Sequence, residues 1–170
     1  ATSSSIRINF VYPLKYTIKY EKNGAIGSLE KTSEIYQQAR SGITLPGVGG
    51  LTKEGYSFQG WSTSGSTPVI SGAYTPTANV TLKAVWVPID YQISYNADGG
   101  DSTPSTSTDS FGDTFVLADS ITKSPSGGIS YQFAGWESGG SIYAAGETLR
   151  VGNSDRTFTA VWVQQYEVTY

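Results

Sequence analysis

The 170-residue chain contains no cysteine and no histidine. These absences exclude disulfide bonds, thiol chemistry and the Ser-His-Asp or Cys-His arrangements of nucleophilic catalysis, and they would leave zinc with oxygen ligands alone. Small domains often depend on disulfides or metals for stability. Aromatic residues make up 13% of this chain, and we expect their burial to supply the stability instead.

Charge is also scarce, because charged residues make up only 15% of the chain and the net charge is −3. The eleven basic residues are scattered, which argues against a nucleic-acid partner. No apolar run approaches the ~20 residues of a membrane-spanning helix. Residues 1–5 are neither basic nor apolar enough for a signal peptide, so a secreted parent would carry its signal elsewhere. Abundant Gly, Ser and Thr favour an extracellular protein, at the cell surface or secreted.

The chain repeats itself with a period of 75 residues. Tyr16–Tyr20 returns at Tyr91–Tyr95 and again at Tyr166–Tyr170. Two further pairs of segments follow the same spacing to within one residue: Tyr56–Trp61 with Tyr131–Trp136, and Leu82–Trp86 with Phe158–Trp162. A fixed period of this kind is typical of an array of modules.

The period predicts four parts. Residues 1–15 are interpreted as the last strand of a preceding repeat plus a linker, with Tyr12 at the position of the final Trp. Residues 16–90 form the first module, 91–165 the second, and 166–170 the first strand of a following repeat. An exchange or sharing of these edge strands between neighbouring modules is the alternative.

Each module opens with an alternating strand that ends at a tight turn. Tyr16, Ile18 and Tyr20 point one way and the polar residues between them point the other, a pattern typical of a half-buried strand. The strand ends at Asn23-Gly24 in the first module and at Asp98-Gly99 in the second, dipeptides that favour tight turns.

The middle of each module is less regular. Tyr36 and Phe111 are matched by the period and are assigned to a second, weaker strand, while a short helix over 30–40 is allowed by the propensities of Glu34, Gln37 and Gln38. Residues 42–50 and 120–128 are rich in Gly, Pro and Ser and are predicted to be loops. The expected fold class is mainly β, or α+β if the helix forms.

The combination of motifs resembles the Listeria–Bacteroides repeat, a family that includes the B repeat of internalin B. The resemblance rests on the opening strand with its Asn/Asp-Gly turn, on Lys53–Trp61 and on Leu82–Trp86, and it covers both modules. It implies two tandem β-grasp-like modules in a secreted or wall-attached bacterial protein, usually without catalysis. The second module departs at 127–130, where Gly-Gly-Ile-Ser replaces the Lys-Glu-Gly stretch, and in its Ser/Thr-rich segment Asp101–Ser110.

Trp61 and Trp136 are the candidate site residues, for contact with a ligand or with a neighbouring module. Strict alternation would place them on the face opposite Phe58 and Phe133, exposed for sugar stacking or protein binding. A bulge at the preceding glycine would instead turn them inward. We favour the second alternative, in which they pack under a loop or against a neighbouring module.

The core is predicted from the alternation of the strands. The residues expected to be buried, including the final Trp of each module, are Tyr16, Ile18, Tyr20, Phe58, Leu82 and Trp86, with their counterparts Tyr91, Ile93, Tyr95, Phe133, Phe158 and Trp162.

No catalytic residue, metal ligand or cofactor is predicted. Only Glu34 and Asp109 keep an acid in both modules at the 75-residue offset, so paired carboxylates for acid–base catalysis are not repeated. Asp98–Asp101 has the composition of a calcium loop, but the corresponding residues of the first module carry little charge, and a turn is the better interpretation.

The sequence therefore favours a non-catalytic spacer or stalk. The expected partners are neighbouring repeats of the same chain. Connectors of about four residues after Trp86 and Trp162, stiffened by Pro88, favour an elongated array. The alternative is an adhesin whose loops and Trp61/Trp136 bind glycan or a host surface protein.

Overall fold

A computed structural model describes residues 12–38 and 41–166. The chain divides into two compact units. The first comprises the residues up to Lys53 together with Phe58–Val87, and the second comprises Glu54–Ser57 together with the chain from Pro88 onward. All regular structure within the described residues is β-strand, and no helix among them could cross a membrane. The predicted class, mainly β with two tandem repeats, is confirmed, whereas the β-grasp-like topology stays a prediction.

The first unit is built on a four-stranded sheet in the order β2-β1-β4-β3. Its central strands β1 and β4 are parallel, and β2 pairs antiparallel with β1. The strands are β1 Lys15–Glu21, β2 Ser33–Gln37, β3 Tyr56–Ser62 and β4 Val80–Pro88.

The second unit repeats this arrangement in a five-stranded sheet, in the order β6-β5-β11-β8-β9, with β5 and β11 parallel. A separate antiparallel pair joins β7 to β10. The strands are β5 Asp90–Asn96, β6 Ser107–Ser110, β7 Thr114–Val116, β8 Ile129–Ser138, β9 Ser141–Tyr143, β10 Thr148–Arg150 and β11 Arg156–Tyr166.

The predicted turns after the opening strands are confirmed. Asn23 and Gly24 have φ values of 51° and 84°, and Asp98 and Gly99 have values of 47° and 80°. Two consecutive residues at positive φ are what Asn-Gly and Asp-Gly dipeptides accommodate. The same backbone shape therefore recurs in both repeats.

The helix predicted over 30–40 is wrong. Ser33–Gln37 forms strand β2, whose residues pair with β1 from Lys15↔Gln37 to Lys19↔Ser33. Helix propensity is a weak preference that pairing with a neighbouring strand overrides. Ala39 and Arg40 lie outside the described residues.

Strand register corrects two matches made from the period. Tyr16 pairs with Tyr36, but its counterpart Tyr91 pairs with Asp109. Tyr36 therefore corresponds to Asp109 and not to Phe111, because the second repeat is two residues shorter between these strands. Glu34, the partner of Ile18, corresponds in the same way to Ser107 and not to Asp109, so the repeats share no acid at this place.

A bulge precedes the Trp of strand β8. Val161 of β11 pairs with Gly135, and the next residue, Trp162, pairs with Phe133, so that Ala134 has no partner across the ladder. Gly135 has a φ of 147°, and Gly60 in the first repeat has a φ of 138°. An extra residue in one strand reverses the alternation beyond it.

The two cores have the same design. Of the twelve residues predicted to be buried, those with at most 4% exposure are Ile18, Tyr20, Leu82, Ile93 and Phe158. The other seven are half-buried and pack against the cores. The predicted burial of Trp86 and Trp162 is therefore wrong in part, because both side chains are only half-buried. In β4, Ala84 and Val85 are more deeply buried than Trp86.

The predicted edge strands lie largely outside the described residues, which exclude 1–11 and 167–170. Tyr12 is described, lies outside any strand and is 83% exposed. The predicted connectors are strand: β4 reaches Pro88 and β11 reaches Tyr166, so that only Ile89 lies between β4 and β5.

Candidate binding groove of the second repeat

The candidate residues Trp61 and Trp136 lie inside the two cores, with 2% and 0% of their surface exposed. Each lies on the same side of its strand as the preceding Phe, at ring distances of 5.6 Å from Phe58 and 5.1 Å from Phe133, and in β8 the bulge accounts for this placement. Neither indole presents a ring face to solvent. Both pack under a loop, as in the favoured sequence interpretation.

Each buried indole is held by a loop carbonyl. Trp61 Nε1 donates to Pro46 O at 2.7 Å, and Trp136 Nε1 donates to Ala118 O at 2.9 Å. These bonds satisfy the polar atom of a ring that has left water. The role of both residues in this geometry is to fasten a loop to a sheet.

An open groove in the second unit is lined instead by the final Trp, Trp162. Its volume is about 460 Å³. Aromatic, acidic, basic and small side chains line it together, namely Asp98, Lys123, Tyr131, Glu137, Thr159, Ala160, Val161, Trp162 and Gln164.

Lys123 organises one side of the groove. Its ammonium lies 4.8 Å from the centroid of the Tyr131 ring and 5.5 Å from that of the Trp162 ring, within the range of cation–π attraction. Lys123 Nζ also donates to Asp98 O at 2.8 Å, and Trp162 Nε1 donates to Ala97 O at 3.1 Å. Both contacts tie the groove to the Asp98-Gly99 turn.

Two carboxylates supply hydrogen-bond acceptors to the groove. Glu137 Oε1 accepts from the Gly140 amide at 2.8 Å, closing the turn between β8 and β9. Asp98 belongs to the positive-φ turn, and its own amide donates to Asn96 Oδ1 at 3.0 Å. With the Lys123 ammonium also in its lining, the groove suits a polar ligand rather than an apolar one.

The Lys123 loop is anchored by Asp101. Its carboxylate accepts from Thr122 Oγ1 at 2.8 Å and from the Ser124 amide at 2.9 Å. The hydrogen bond from Thr122, followed by those from Ser124, lowers the pKa of Asp101. This side chain therefore acts as a staple beside the Asp98–Asp101 turn. The described residues contain no cluster of three or more acidic side chains that could hold a metal ion.

Sequence reasoning missed Lys123 because the period hides it. In the first repeat Lys53 occupies the corresponding place: a Cβ on Gly24 would lie 3.6 Å from Lys53 Nζ, and one on Gly99 would lie 3.1 Å from Lys123 Nζ. These lysines are 70 residues apart, not 75, since the intervening loops differ in length. The sequence feature that could have matched Lys53 to Lys123 is that each lysine lies shortly before a Tyr-x-Phe strand.

Sequence reasoning also missed Asn79 and Asp155, which bind the backbone of the opening strands. Asn79 Oδ1 accepts from the Thr17 amide and Asp155 Oδ1 accepts from the Gln92 amide, both at 2.8 Å. Asn79 also lines a shallow polar groove of about 400 Å³ with Thr17, Lys19, Val80 and Thr81. An amide in one repeat and a carboxylate in the other perform the same structural task.

Comparison with known proteins identifies the repeats. The model of the Listeria–Bacteroides repeat domain matches residues 16–85 and 91–161. Two relatives come from Evansella cellulosilytica. A "Putative Gly-rich membrane protein" is 27% identical over 94% of this chain and 20% of its own length, and a "Putative membrane protein" is 30% identical over 87% and 22%. The chain thus spans about a fifth of these relatives. No solved structure shows a significant match.

Proposed function

Because the chain belongs to the Listeria–Bacteroides repeat family, with two copies in tandem, we propose that it is a non-catalytic spacer of a bacterial surface protein. The observation that carries the proposal is the near-continuous joining of the repeats, with Ile89 alone between strands β4 and β5. A join this short leaves little chain freedom. The expected partners are neighbouring repeats of the same kind.

Placement outside the cell is part of the proposal. The two relatives are named as putative membrane proteins and are about five times as long as the matched segment. Low charge and abundant Gly, Ser and Thr agree with an exported bacterial repeat. In such a protein the repeats would separate a binding or anchoring region from the cell.

A catalytic role receives no support from the site chemistry. The chain has neither histidine nor cysteine. Strand register shows that Glu34 and Asp109, the only acids matched by the period, do not occupy equivalent positions. The adhesive alternative at Trp61 and Trp136 receives none either, because both rings are buried. An adhesive function would need another surface.

Small-angle scattering of the whole chain tests the spacer. Two modules of ~75 residues in line should give a maximum dimension of roughly 60–75 Å. A variant with six Gly-Ser residues inserted after Ile89 is the matched control, and its scattering should broaden towards a flexible pair. A wild-type maximum dimension near 45–50 Å, roughly that of one 170-residue domain, would contradict the proposal.

A further inference from the structure

We infer that the groove beside Trp162 binds an extended Ser- and Gly-rich peptide segment of a partner protein. The inference rests on a comparison of equivalent surfaces in the two repeats. In the first repeat this surface is covered by a segment of the chain itself, and in the second it is open. The covering segment shows which chemistry the surface accepts.

The two surfaces correspond residue by residue. Asn23 and Asp98 are the first residues of the two positive-φ turns. Trp86 Nε1 donates to Lys22 O at 3.0 Å, as Trp162 Nε1 donates to Ala97 O. Strand β11 therefore places Thr159, Ala160 and Val161 where β4 places Lys83, Ala84 and Val85.

In the first repeat the covering segment is Ser62–Pro68, whose sequence is Ser-Thr-Ser-Gly-Ser-Thr-Pro. Asn23 Nδ2 donates to Gly65 O at 3.0 Å and to Ala84 O at 2.8 Å. In the strand that carries Ala84, the next residue, Val85, is only 1% exposed. The turn amide thus binds a backbone carbonyl of a Ser/Gly-rich peptide.

The fit requires glycine at the point of contact. Gly65 has a φ of +83°, and a Cβ there would lie 2.9 Å from Asn23 Nδ2 and 3.3 Å from Lys83 Cβ. Any larger residue would be strained in this conformation and would press against the turn. The surface therefore selects a segment that lacks a side chain at this position.

In the second repeat the corresponding connection is the tight turn at Gly139-Gly140 between β8 and β9. Val161 is half-buried, where Val85 is covered. Thr159 has a shorter side chain than the equivalent Lys83. Among the described residues, only the two-residue turn separates β8 from β9, and Ser62–Pro68 has no equivalent there.

The chemistry at the turn is altered in one respect. Asp98 offers carboxylate oxygens where Asn23 offers an amide donor, so a ligand should present an N–H or hydroxyl donor there. Serine and threonine hydroxyls supply such donors, and Glu137 adds a second acceptor. The Lys123 ammonium lines the groove and has donors besides the one bonded to Asp98 O, so it can donate to a peptide carbonyl. A Ser/Gly-rich strand meets all three requirements.

The experiment titrates the full chain with a capped peptide of the sequence Ser-Thr-Ser-Gly-Ser-Thr-Pro and follows the tryptophan indole N–H signals by NMR. The Trp162 signal is assigned from its loss in Trp162→Phe. We expect a saturable shift of this signal, with the Trp86 signal unchanged because the Asn23 amide of that repeat is already bonded to Gly65 O. The unchanged signals of Trp61 and Trp136 report that the fold is intact.

Two variants sharpen the test. Asp98→Asn restores the donor that Asn23 provides, so this peptide should bind about 3–10-fold more tightly, the equivalent of one hydrogen bond. A peptide with Ala in place of Gly should show no saturable shift. Weaker binding of the peptide to Asp98→Asn, or a saturable shift with the Ala-containing peptide, would overturn the inference.

Three other outcomes would also overturn it. One is the absence of any Trp162 shift with both the wild type and Asp98→Asn. Another is a saturable shift with soluble oligosaccharides that the peptide cannot displace, which would assign the groove to a glycan. The third is concentration-dependent self-association through the groove without peptide, detected by light scattering and abolished by Val161→Lys. The scattering test of the spacer is independent of all three.

Discussion

Trp61 donates its indole N–H to the carbonyl of Pro46 at 2.7 Å, from a ring that is 98% removed from solvent. The bond joins strand β3 to the Gly/Pro-rich loop and closes the core over Tyr20, whose ring lies 4.9 Å away. Trp136 repeats the relationship with Ala118 and Tyr95. Trp61 and Trp136 thus have a structural role, because each holds a loop against the sheet of its repeat.

Trp61→Ala should destabilise the first unit by about 3–5 kcal/mol, because it removes a fully buried ring and leaves a cavity. Trp86→Ala in the same unit is the matched control and should cost less, about 1–2 kcal/mol, since Trp86 is half-buried. Urea unfolding followed by circular dichroism measures both. Equal losses would contradict the assigned difference in burial.

Gly135→Ala should be more damaging than Gly60→Ala. Both glycines have strongly positive φ, which costs a substituted residue about 1–3 kcal/mol. At Gly135 the new Cβ would also lie 2.6 Å from Tyr143 O, a backbone atom, whereas at Gly60 the nearest atom is Val69 Cβ at 3.2 Å.

Thermal unfolding of the two glycine variants measures this difference. Gly152→Ala is the neutral control, because no atom lies within 4 Å of the added Cβ. Its stability should stay within ~0.5 kcal/mol of the wild type. Wild-type stability in Gly135→Ala would show that the bulge is absent.

Stability should fall at alkaline pH through Tyr20. Burial, followed by the hydrogen bond that its hydroxyl donates to Glu34 and the charge of that carboxylate, raises the pKa of Tyr20. The neutral phenol is therefore favoured in the folded state. The contribution of the neutral Tyr20 phenol to folding stability is complete below the ordinary tyrosine pKa of ~10. It is lost as the pH rises from there through the raised pKa of Tyr20 in the folded state.

Urea unfolding between pH 8 and 12 checks the alkaline effect. The wild type should lose stability more steeply than Tyr20→Phe, which has no proton to release. Glu34→Gln should lie between the two, because burial remains while the charge is gone. Parallel curves for wild type and Tyr20→Phe would contradict the prediction.

At acid pH the Lys123 loop should loosen through Asp101. The hydrogen bonds from Thr122 and Ser124 lower the pKa of this carboxyl, so the staple is complete above the ordinary pKa of ~3.9 and is lost as pH falls through the lowered value. An NMR titration should find the pKa of Asp101 lowered in the wild type and raised again in Thr122→Val. An identical titration in the two proteins would contradict the role of Thr122.

The sequence alone determined what depends on local pattern and period. Alternation located strands β1 and β5, and the Asn-Gly and Asp-Gly dipeptides located their turns, because side-chain period and positive φ are properties of the local chain. The 75-residue period predicted the two repeats, and the motifs within each repeat carried the resemblance to the family. The absence of histidine and cysteine determined which chemistries were closed to the chain.

Only the tertiary structure decided what depends on pairing between distant segments. Strand pairing made Ser33–Gln37 a strand instead of a helix and showed that the counterpart of Tyr36 in the second repeat is Asp109, not Phe111. The bulge at Gly135 decided that Trp136 is core, because one extra residue exchanges the faces of a strand. Lys123 lines the groove beside Trp162 from a loop whose length differs between the repeats. A fixed sequence offset therefore does not match Lys123 to its counterpart Lys53.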